Sequence, residues 1–217
     1  MLHRSKEMIA DVQKTGDVKV IIEILKNIHS KVNAEPYKIF TACSKDSLEN
    51  KIEAFKNIEH KIEQGLVEPS ISQIAWITGS QVCYCAEAFQ SVSREHKDAP
   101  ALSVLAAVLK WGYLHPAIRE KGGAYGGGAT NDASTNTFKF YSYRDPKCLE
   151  TFSAFKDSIS WAKNSINSQN LEEAILDVIS SIDKPLSPVG EAKNDFNYNL
   201  KNITIAERLE MRQKIIN

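Results

Sequence analysis

A glycine-rich run is the segment whose composition is best suited to bind a ligand. Five of the ten glycines lie between Gly122 and Gly128, directly after Lys121. Exposed backbone N–H groups can bind phosphate, but a phosphate-binding loop follows a strand and opens a helix. This run follows a predicted helix and precedes a predicted strand, which disfavours a nucleotide-binding module. It could instead be a helix cap before a bulged strand, or a bare backbone to which a peptide adds as a strand.

A cation and a phenol flank the first two glycines. Arg119 and Tyr125 lie six residues apart, on either side of the predicted corner between helix and strand. A guanidinium can hold a peptide carbonyl or a carboxylate, and a phenol can donate a hydrogen bond to a developing oxyanion. The spacing alone favours a plainer interpretation, in which Arg119 lies on the surface and Tyr125 packs in the core.

The histidines and cysteines form no complete metal-binding motif. Residues 56–60 are one residue short of H-x-x-E-H, because Lys56 stands where the first histidine would be and a charged ammonium cannot ligate zinc. Cys83 and Cys85 share one face of a predicted strand, and we interpret them as buried thiols rather than as a redox pair. We therefore expect no metal, no cofactor and no self-sufficient catalytic centre in this chain.

The composition disfavours whole classes of partner. The chain has 217 residues, with 27 Lys and Arg against 27 Asp and Glu. Proteins that bind nucleic acid or anionic lipid usually carry a basic excess, and no apolar run approaches the roughly 20 residues that span a bilayer. We therefore expect neither nucleic acid nor a membrane as a partner. The N-terminus lacks the apolar region of a signal peptide and the cysteines are few, which favours a reduced intracellular compartment.

The elements that would position these residues alternate between helices and paired strands. Hydrophobic periodicity predicts, in order, helical residues 5–33, a strand over 37–43, a helix over 44–63, two strands within 73–92, a helix from Asp98, strands near 124–130 and 137–143, and helices over 147–164, 170–182 and 187–201. This order predicts an α+β fold, in which helices cover one face of a mostly antiparallel sheet.

Two further expectations concern domain organisation. The chain should divide into an N-terminal helical lead-in, residues 1–35, and a larger α+β domain, residues 36–217. The final charged segment, AERLEMRQKIIN, has no evident closing apolar contact. This pattern predicts a domain truncated at its C-terminus.

Three segments together carry a family resemblance. They are ALSVLAAVLKWGYLHPAIREKGGAYGGGA from Ala101, FKFYSYRDPKCLETFSAF from Phe138 and LEEAILDVISSIDKPLSPVGEAK from Leu171. They closely resemble the last domain of the presequence protease subfamily of insulinase/pitrilysin-type zinc peptidases, the inverzincins. The resemblance is strong over residues 70–217 and weaker back to residue 37.

The resemblance implies roles that the residues alone do not. Family enzymes have four related α+β domains around a peptide chamber, with zinc and a general-base glutamate in an H-x-x-E-H motif of the first domain. The last domain places an arginine and a tyrosine against the substrate, and Arg119 and Tyr125 match them. Tyr125 would donate to the scissile carbonyl and Arg119 would anchor the peptide backbone. Gly122, Gly123 and Gly126 would keep the corner slim enough for a peptide to approach.

The SYRDP sequence next to these residues is interpreted as structural. It ends the last predicted strand and comes just before a predicted helix. We expect Arg144 and Asp145 to form an ion pair there, with Pro146 opening the helix.

The function implied is that of a C-terminal, non-catalytic domain that closes the chamber of a zinc peptidase and binds unstructured peptides. Its expected partners are a peptide substrate and the N-terminal half of the same peptidase, with zinc in the parent enzyme and none in this chain. The chain by itself should be inactive. Its compartment is predicted to be a bacterial cytoplasm, with the mitochondrial matrix as the alternative. The rival hypothesis is an inactive scaffold domain that only packs against other subunits.

Overall fold

The chain forms two compact units, residues 1–72 and 73–217. The computed structural model describes residues 10, 18–34, 40–45, 73, 75, 77 and 79–217. The predicted domain boundary after residue 35, most of the helix predicted over 44–63 and the near-match to H-x-x-E-H at residues 56–60 lie outside the described residues. Those three interpretations stay predictions.

The first unit contains one described helix, α1, over Lys19–Ala34. It confirms the predicted helical periodicity, and its apolar residues Ile22, Leu25, Ile28 and Val32 are all exposed. The strand predicted over 37–43 is wrong for residues 40–43, which have no regular secondary structure. A short run of β-prone residues does not specify a strand by itself, because strand stability comes from cross-strand pairing.

A three-stranded antiparallel sheet forms the centre of the second unit. Its strands are β1 (Cys83–Gln90), β2 (Gly126–Asp132) and β3 (Thr137–Asp145), in the spatial order β1-β3-β2. Side chains on one face of the central strand, among them Phe138 and Phe140, are buried under helices. The predicted α+β class is therefore confirmed. A further strand predicted within 73–79 is not found at the described positions of that segment.

A long helix packs beneath the sheet and leads directly to the glycine run. It begins as α2 (Ala99–Leu109) and continues as a π-helix over Lys110–Lys121. The sequence places the end of this helix in the region marked by His115-Pro116 and Gly122-Gly123. The helix passes through Pro116 and ends within that region at Lys121, directly before Gly122.

This helix is also the one described segment that is long and apolar enough to cross a membrane. By length and composition alone, its 23 residues, Ala99–Lys121, would be enough. A helix at the centre of a folded core passes the same test, since it too must bury most of its faces. Leu109, Leu114 and Ile118 of this helix all lie in the buried core. The expectation that no membrane partner exists stays a prediction.

The main core joins the long helix, the sheet and the next helix, α3 (Cys148–Ser165). Phe155 of α3 lies against Phe140 of β3, with their ring centroids 5.4 Å apart. Leu114 and Ile118 belong to the same buried cluster. The packing of these rings and aliphatic groups fixes how the long helix is rotated relative to the sheet.

Three more helices complete the unit: α4 (Ser168–Ile182), α5 (Pro188–Leu200) and α6 (Ile205–Ile216). The bounds of α4 and α5 lie close to the predicted ones, 170–182 and 187–201. The final segment corrects an expectation, because Ile215 is only 4% exposed and packs in a second cluster with Val104, Val108 and Ala174. The sequence suggested no closing apolar contact because the partners of Ile215 lie far away along the chain, on α2 and α4.

Asp145 joins the end of β3 to the start of α3. Its side chain is fully buried, and its two oxygens accept hydrogen bonds from the Lys147 backbone N–H at 2.8 Å and the Thr151 hydroxyl at 2.6 Å. The first of these bonds satisfies the backbone N–H of Lys147, the residue directly before α3. The predicted pairing of Arg144 with Asp145 is therefore replaced by a helix-capping arrangement.

We predict that Asp145→Ala lowers the free energy of unfolding by about 2–3 kcal/mol, because it removes a cap and leaves the buried Thr151 hydroxyl without its acceptor. Urea unfolding of the purified chain measures this. The matched control is Asp157→Ala on the exposed side of α3, which should change stability by about 0.5 kcal/mol or less. Equal effects at the two positions would contradict the proposed cap.

Candidate functional site

The candidate site lies at the corner where the long helix ends and β2 begins. Gly123 adopts a φ of +84°, a left-handed conformation that glycine enters without a steric penalty. Its N–H donates to the Arg119 carbonyl at 3.0 Å, and the Ala124 N–H donates to the Ile118 carbonyl at 3.1 Å. A side chain on Gly122 would run into the carbonyl oxygen of Ile118. The corner therefore has little room for side chains.

Arg119 lies on the exposed side of the last π-helical turn. The preceding residue, Ile118, is only 2% exposed. Because consecutive residues of a helix point in different directions, burial of Ile118 turns Arg119 outward. Its Nη1 lies 3.4 Å from Nε2 of His115, four residues earlier.

Tyr125 is also on the surface, with 61% of its area exposed. Its backbone N–H donates to the Arg144 carbonyl at 3.3 Å, which fixes the start of β2 against the end of β3. The core position that spacing alone favoured for Tyr125 is therefore wrong. The outward position that the family resemblance implies agrees with this exposure, whereas its role in catalysis stays a prediction.

Tyr143 and Arg144 of β3 surround the Tyr125 ring. The ring centroids of Tyr125 and Tyr143 are 5.6 Å apart, and the Arg144 guanidinium carbon is 5.8 Å from the centroid of the Tyr125 ring. A cation over an aromatic face and a tilted aromatic pair are both attractive arrangements. They limit the positions that the Tyr125 side chain can adopt.

Gly126 leaves space on the sheet for the Tyr143 ring. The two residues face each other across β2 and β3, and a side chain on Gly126 would overlap the Tyr143 phenol. Gly126 is itself buried. The missing side chain of Gly126 therefore lets the Tyr143 ring lie close to β2, and this contact orients the ring beside Tyr125.

Arg144 adopts a φ of +49°, a left-handed backbone conformation that residues other than glycine, asparagine and aspartate rarely adopt. Such a conformation costs on the order of 1–3 kcal/mol and is found mostly where the surrounding structure requires it. Here it occurs at the end of β3, between Tyr143 and the buried cap Asp145. The unusual backbone brings the guanidinium of Arg144 over the Tyr125 ring.

The described residues do not offer a zinc site. Among them, no group of three or more His, Cys, Asp or Glu side chains is arranged to hold a metal ion. Zinc in proteins requires at least three such ligands, so this donor set does not fit it. No chemical step through zinc is assigned to these residues, and the expected absence of a metal from the whole chain stays a prediction.

Cys85 forms a thiol pair with Cys148 at the start of α3, with their sulfurs 3.7 Å apart. Cys85 is buried, and burial raises its pKa to about 11, so its thiol stays protonated at neutral pH. Burial also raises the pKa of Cys83, with Cys148 as a further cause. The interpretation as a buried thiol holds for Cys85, whereas Cys83 is only partly buried.

A separate open cavity of about 420 Å³ lies beside β2, between the strand and helices α2, α4 and α6. Lys110, Tyr141 and Asp177 are among its lining residues. Burial raises the pKa of the Tyr141 hydroxyl, with Tyr143 as a further cause. This cavity does not contain Arg119 or Tyr125 and is not part of the candidate site.

A family comparison assigns the chain. The family model for the PreP C-terminal domain matches residues 75–217, about two thirds of the sequence. The chain belongs to this family. The match includes the long helix, the glycine corner and all three strands, so the candidate site lies entirely within the PreP C-terminal domain.

Curated relatives and a solved structure agree with this assignment. The chain is 42% identical over 137 residues to the mitochondrial presequence protease of Kluyveromyces lactis, covering 62% of this chain and 13% of that protein. It is 42% identical over 125 residues to the one of Drosophila melanogaster, covering 56% and 12%. A crystal structure of a protease from Helicobacter pylori covers 81% of this chain and 47% of that one, with a TM-score of 0.55 at 15% identity, which shows a shared fold. The chain therefore spans about one eighth of these two curated relatives.

The structure brings three further residues against Arg119 and Tyr125. The sequence favours structural roles for Tyr143 and Arg144 in SYRDP, and it indicates His115 only as part of the region that ends the long helix. The i,i+4 spacing of His115 and Arg119 is a signal that could have linked them, once the helix was known to continue through Pro116. No sequence signal announces an arginine in the left-handed region, because its conformation depends on tertiary contacts.

We predict that Gly126→Ala lowers the free energy of unfolding by about 1 kcal/mol, because the added methyl group pushes the Tyr143 ring aside and weakens its contact with Tyr125. Adding Tyr143→Ala should remove most of this cost, which urea unfolding of the four variants in the cycle measures. Gly79→Ala is the control, since a side chain there meets no atom within 4 Å. The same cost for Gly126→Ala in both backgrounds would show that the ring is not the cause.

We predict that iodoacetamide modifies the exposed Cys43 well before Cys85 in the folded chain. Alkylation requires a thiolate, and burial of Cys85 disfavours both its ionisation and its access to reagent. Peptide mapping by mass spectrometry gives the order of modification. The denatured chain is the control, in which all four cysteines should react, and rapid native labelling of Cys85 would refute the burial argument.

Proposed function

We propose that this chain binds an unstructured peptide at the Arg119–Tyr125 corner and completes the active site of a zinc-dependent peptidase whose metal lies elsewhere in the protein. The observation that carries this proposal is the exposure of both side chains at the two ends of one slim corner. Membership of the PreP C-terminal domain family supports it, as do the relatives that are named presequence proteases.

Tyr125 is proposed to stabilise negative charge on the substrate. Its hydroxyl is a hydrogen-bond donor, and a donor held in advance near a developing oxyanion lowers the barrier to peptide-bond attack. The contacts with Tyr143 and Arg144 restrict the ring before substrate arrives. Tyr125 therefore loses little side-chain freedom when the peptide binds.

Arg119 is proposed to hold the peptide backbone next to Tyr125. A guanidinium has five N–H donors in a planar fork, which suits a peptide carbonyl or a terminal carboxylate. Gly122 and Gly123 place no side chain between Arg119 and Tyr125, so an extended backbone can approach both. Gly126, covered by the Tyr143 ring, is proposed to act by orienting that ring rather than by touching the peptide.

The zinc, the N-terminal half of the peptidase and the peptide itself are the proposed partners. The chamber-closing role requires that other half, so the chain alone is proposed to be inactive. The relatives named as mitochondrial support the mitochondrial alternative for the compartment. The bacterial cytoplasm stays a prediction without such support.

One observation favours a second function, that of an inactive scaffold. The helix α1 exposes Ile22, Leu25, Ile28 and Val32, a row of apolar side chains that is typical of a surface for another protein segment. A scaffold would not depend on the two polar groups of the corner. Substitution of those groups therefore separates the two functions.

We predict that Tyr125→Phe lowers the rate of peptide cleavage about 100-fold or more when the N-terminal half is supplied in trans, because one donor to the oxyanion is lost. The apolar ring and its contacts are retained, so KM and the unfolding midpoint should change little. A quenched fluorescent peptide of unstructured sequence measures kcat and KM.

Two controls accompany this experiment. Tyr84→Phe removes the hydroxyl of another exposed tyrosine, at the start of β1, and should leave cleavage unchanged. The chain without its N-terminal half should cleave nothing, and cleavage by it that a chelator abolishes would contradict the proposed division of labour. Unchanged turnover by the Tyr125→Phe protein would favour the scaffold.

A further inference from the structure

His115 lies between two charged residues of its own helix. Its Nε2 is 3.4 Å from Nη1 of Arg119, and its Nδ1 is 3.4 Å from a carboxylate oxygen of Glu120. Hydrogen bonds of a π-helix span five residues instead of four. The wider turn brings residues four and five positions later to the two sides of the same imidazole.

These two contacts fit one tautomer of the neutral imidazole. With the ring proton on Nδ1, that proton faces the Glu120 carboxylate and Nε2 keeps its lone pair. That lone pair can accept a hydrogen bond from the Arg119 guanidinium, which has only donors. The arrangement restrains the direction of an otherwise exposed and flexible side chain.

A second layer holds the imidazole itself. The Trp111 ring lies 5.3 Å from the His115 ring, and its Nε1 donates to Asp177 of α4 at 3.0 Å. The ammonium of Lys110 lies 4.3 Å from the Trp111 ring centroid. Asp177 thus connects the π-helix to a neighbouring helix through Trp111, which supports one side of His115.

We propose that His115 is a positioning residue that holds the Arg119 guanidinium in the direction required for peptide binding, with Trp111 and Asp177 supporting it. This inference rests on the proposed function of Arg119. A guanidinium that is already oriented loses less freedom when the peptide arrives, and the expected gain in affinity is about 3- to 10-fold.

Substitutions at His115 can distinguish the effect of its hydrogen-bond acceptor from the effect of its side-chain volume. A glutamine oxygen can reach roughly the place of Nε2, whereas an asparagine oxygen lies nearer to Nδ1. In fluorescence-anisotropy titrations of the 217-residue chain with a labelled unstructured peptide near neutral pH, His115→Gln should bind like the wild type. His115→Asn and His115→Leu should bind about 3- to 10-fold more weakly, with unchanged unfolding midpoints.

A double-mutant cycle with Arg119→Ala assigns the effect. If His115 acts through Arg119, His115→Leu adds no further weakening once Arg119 is alanine. An equal effect in both backgrounds overturns the positioning role, and so does a His115→Leu protein that binds like the wild type while Arg119→Ala binds weakly. If Arg119→Ala itself binds like the wild type, the proposed function fails instead.

The last measurement needs no peptide. The NMR signal of the Arg119 side-chain Nε–H should report a restrained group in the wild type and in His115→Gln, and a mobile one in His115→Leu. A signal that is equally mobile in all three proteins overturns the inference whatever the peptide result.

Discussion

Burial of Leu114 and Ile118 in the main core is the constraint on which the rest of the site depends. These residues, four apart on the long helix, share a cluster with Phe140 of the sheet and Phe155 of α3. Removing them from water contributes on the order of 2 kcal/mol each and fixes the rotation of the helix. His115 and Arg119 each follow one of these buried residues, so the same packing turns both toward the surface. His115 and Arg119 therefore point outward because Leu114 and Ile118 must be buried.

The sheet contributes the other half of the site in the same way, because its buried residues determine which side chains face outward. Phe138, Phe140 and Ser142 face the helices, which leaves Tyr143 on the opposite face because side chains alternate along a strand. The absence of a side chain on Gly126 lets the Tyr143 ring lie across β2, next to Tyr125. Helix and sheet therefore supply Arg119 and Tyr125 independently, and the two-glycine corner sets the distance between them along the chain.

Much of the fold could be predicted because hydrophobic periodicity and turn-forming residues are local properties of the sequence. The helices after Pro146 and the strands on either side of residues 133–136 lie close to their expected places. What could not be predicted depends on distant contacts. Burial of Ile215 under α2 and α4 and exposure of Tyr125 are both decided by partners far along the chain. The proposed roles of Arg119 and Tyr125 come from a family resemblance, since their spacing alone favours roles without chemistry.

The left-handed backbone of Arg144 has a consequence for protein engineering. Glycine or asparagine would adopt this conformation more easily, so a sequence optimised for folding stability alone would replace the arginine. The optimised protein would then lack the cation beside Tyr125, although its core and melting temperature would look improved. Stabilisation of this domain should therefore hold residue 144 fixed and seek its gains on the outer faces of α3 to α6.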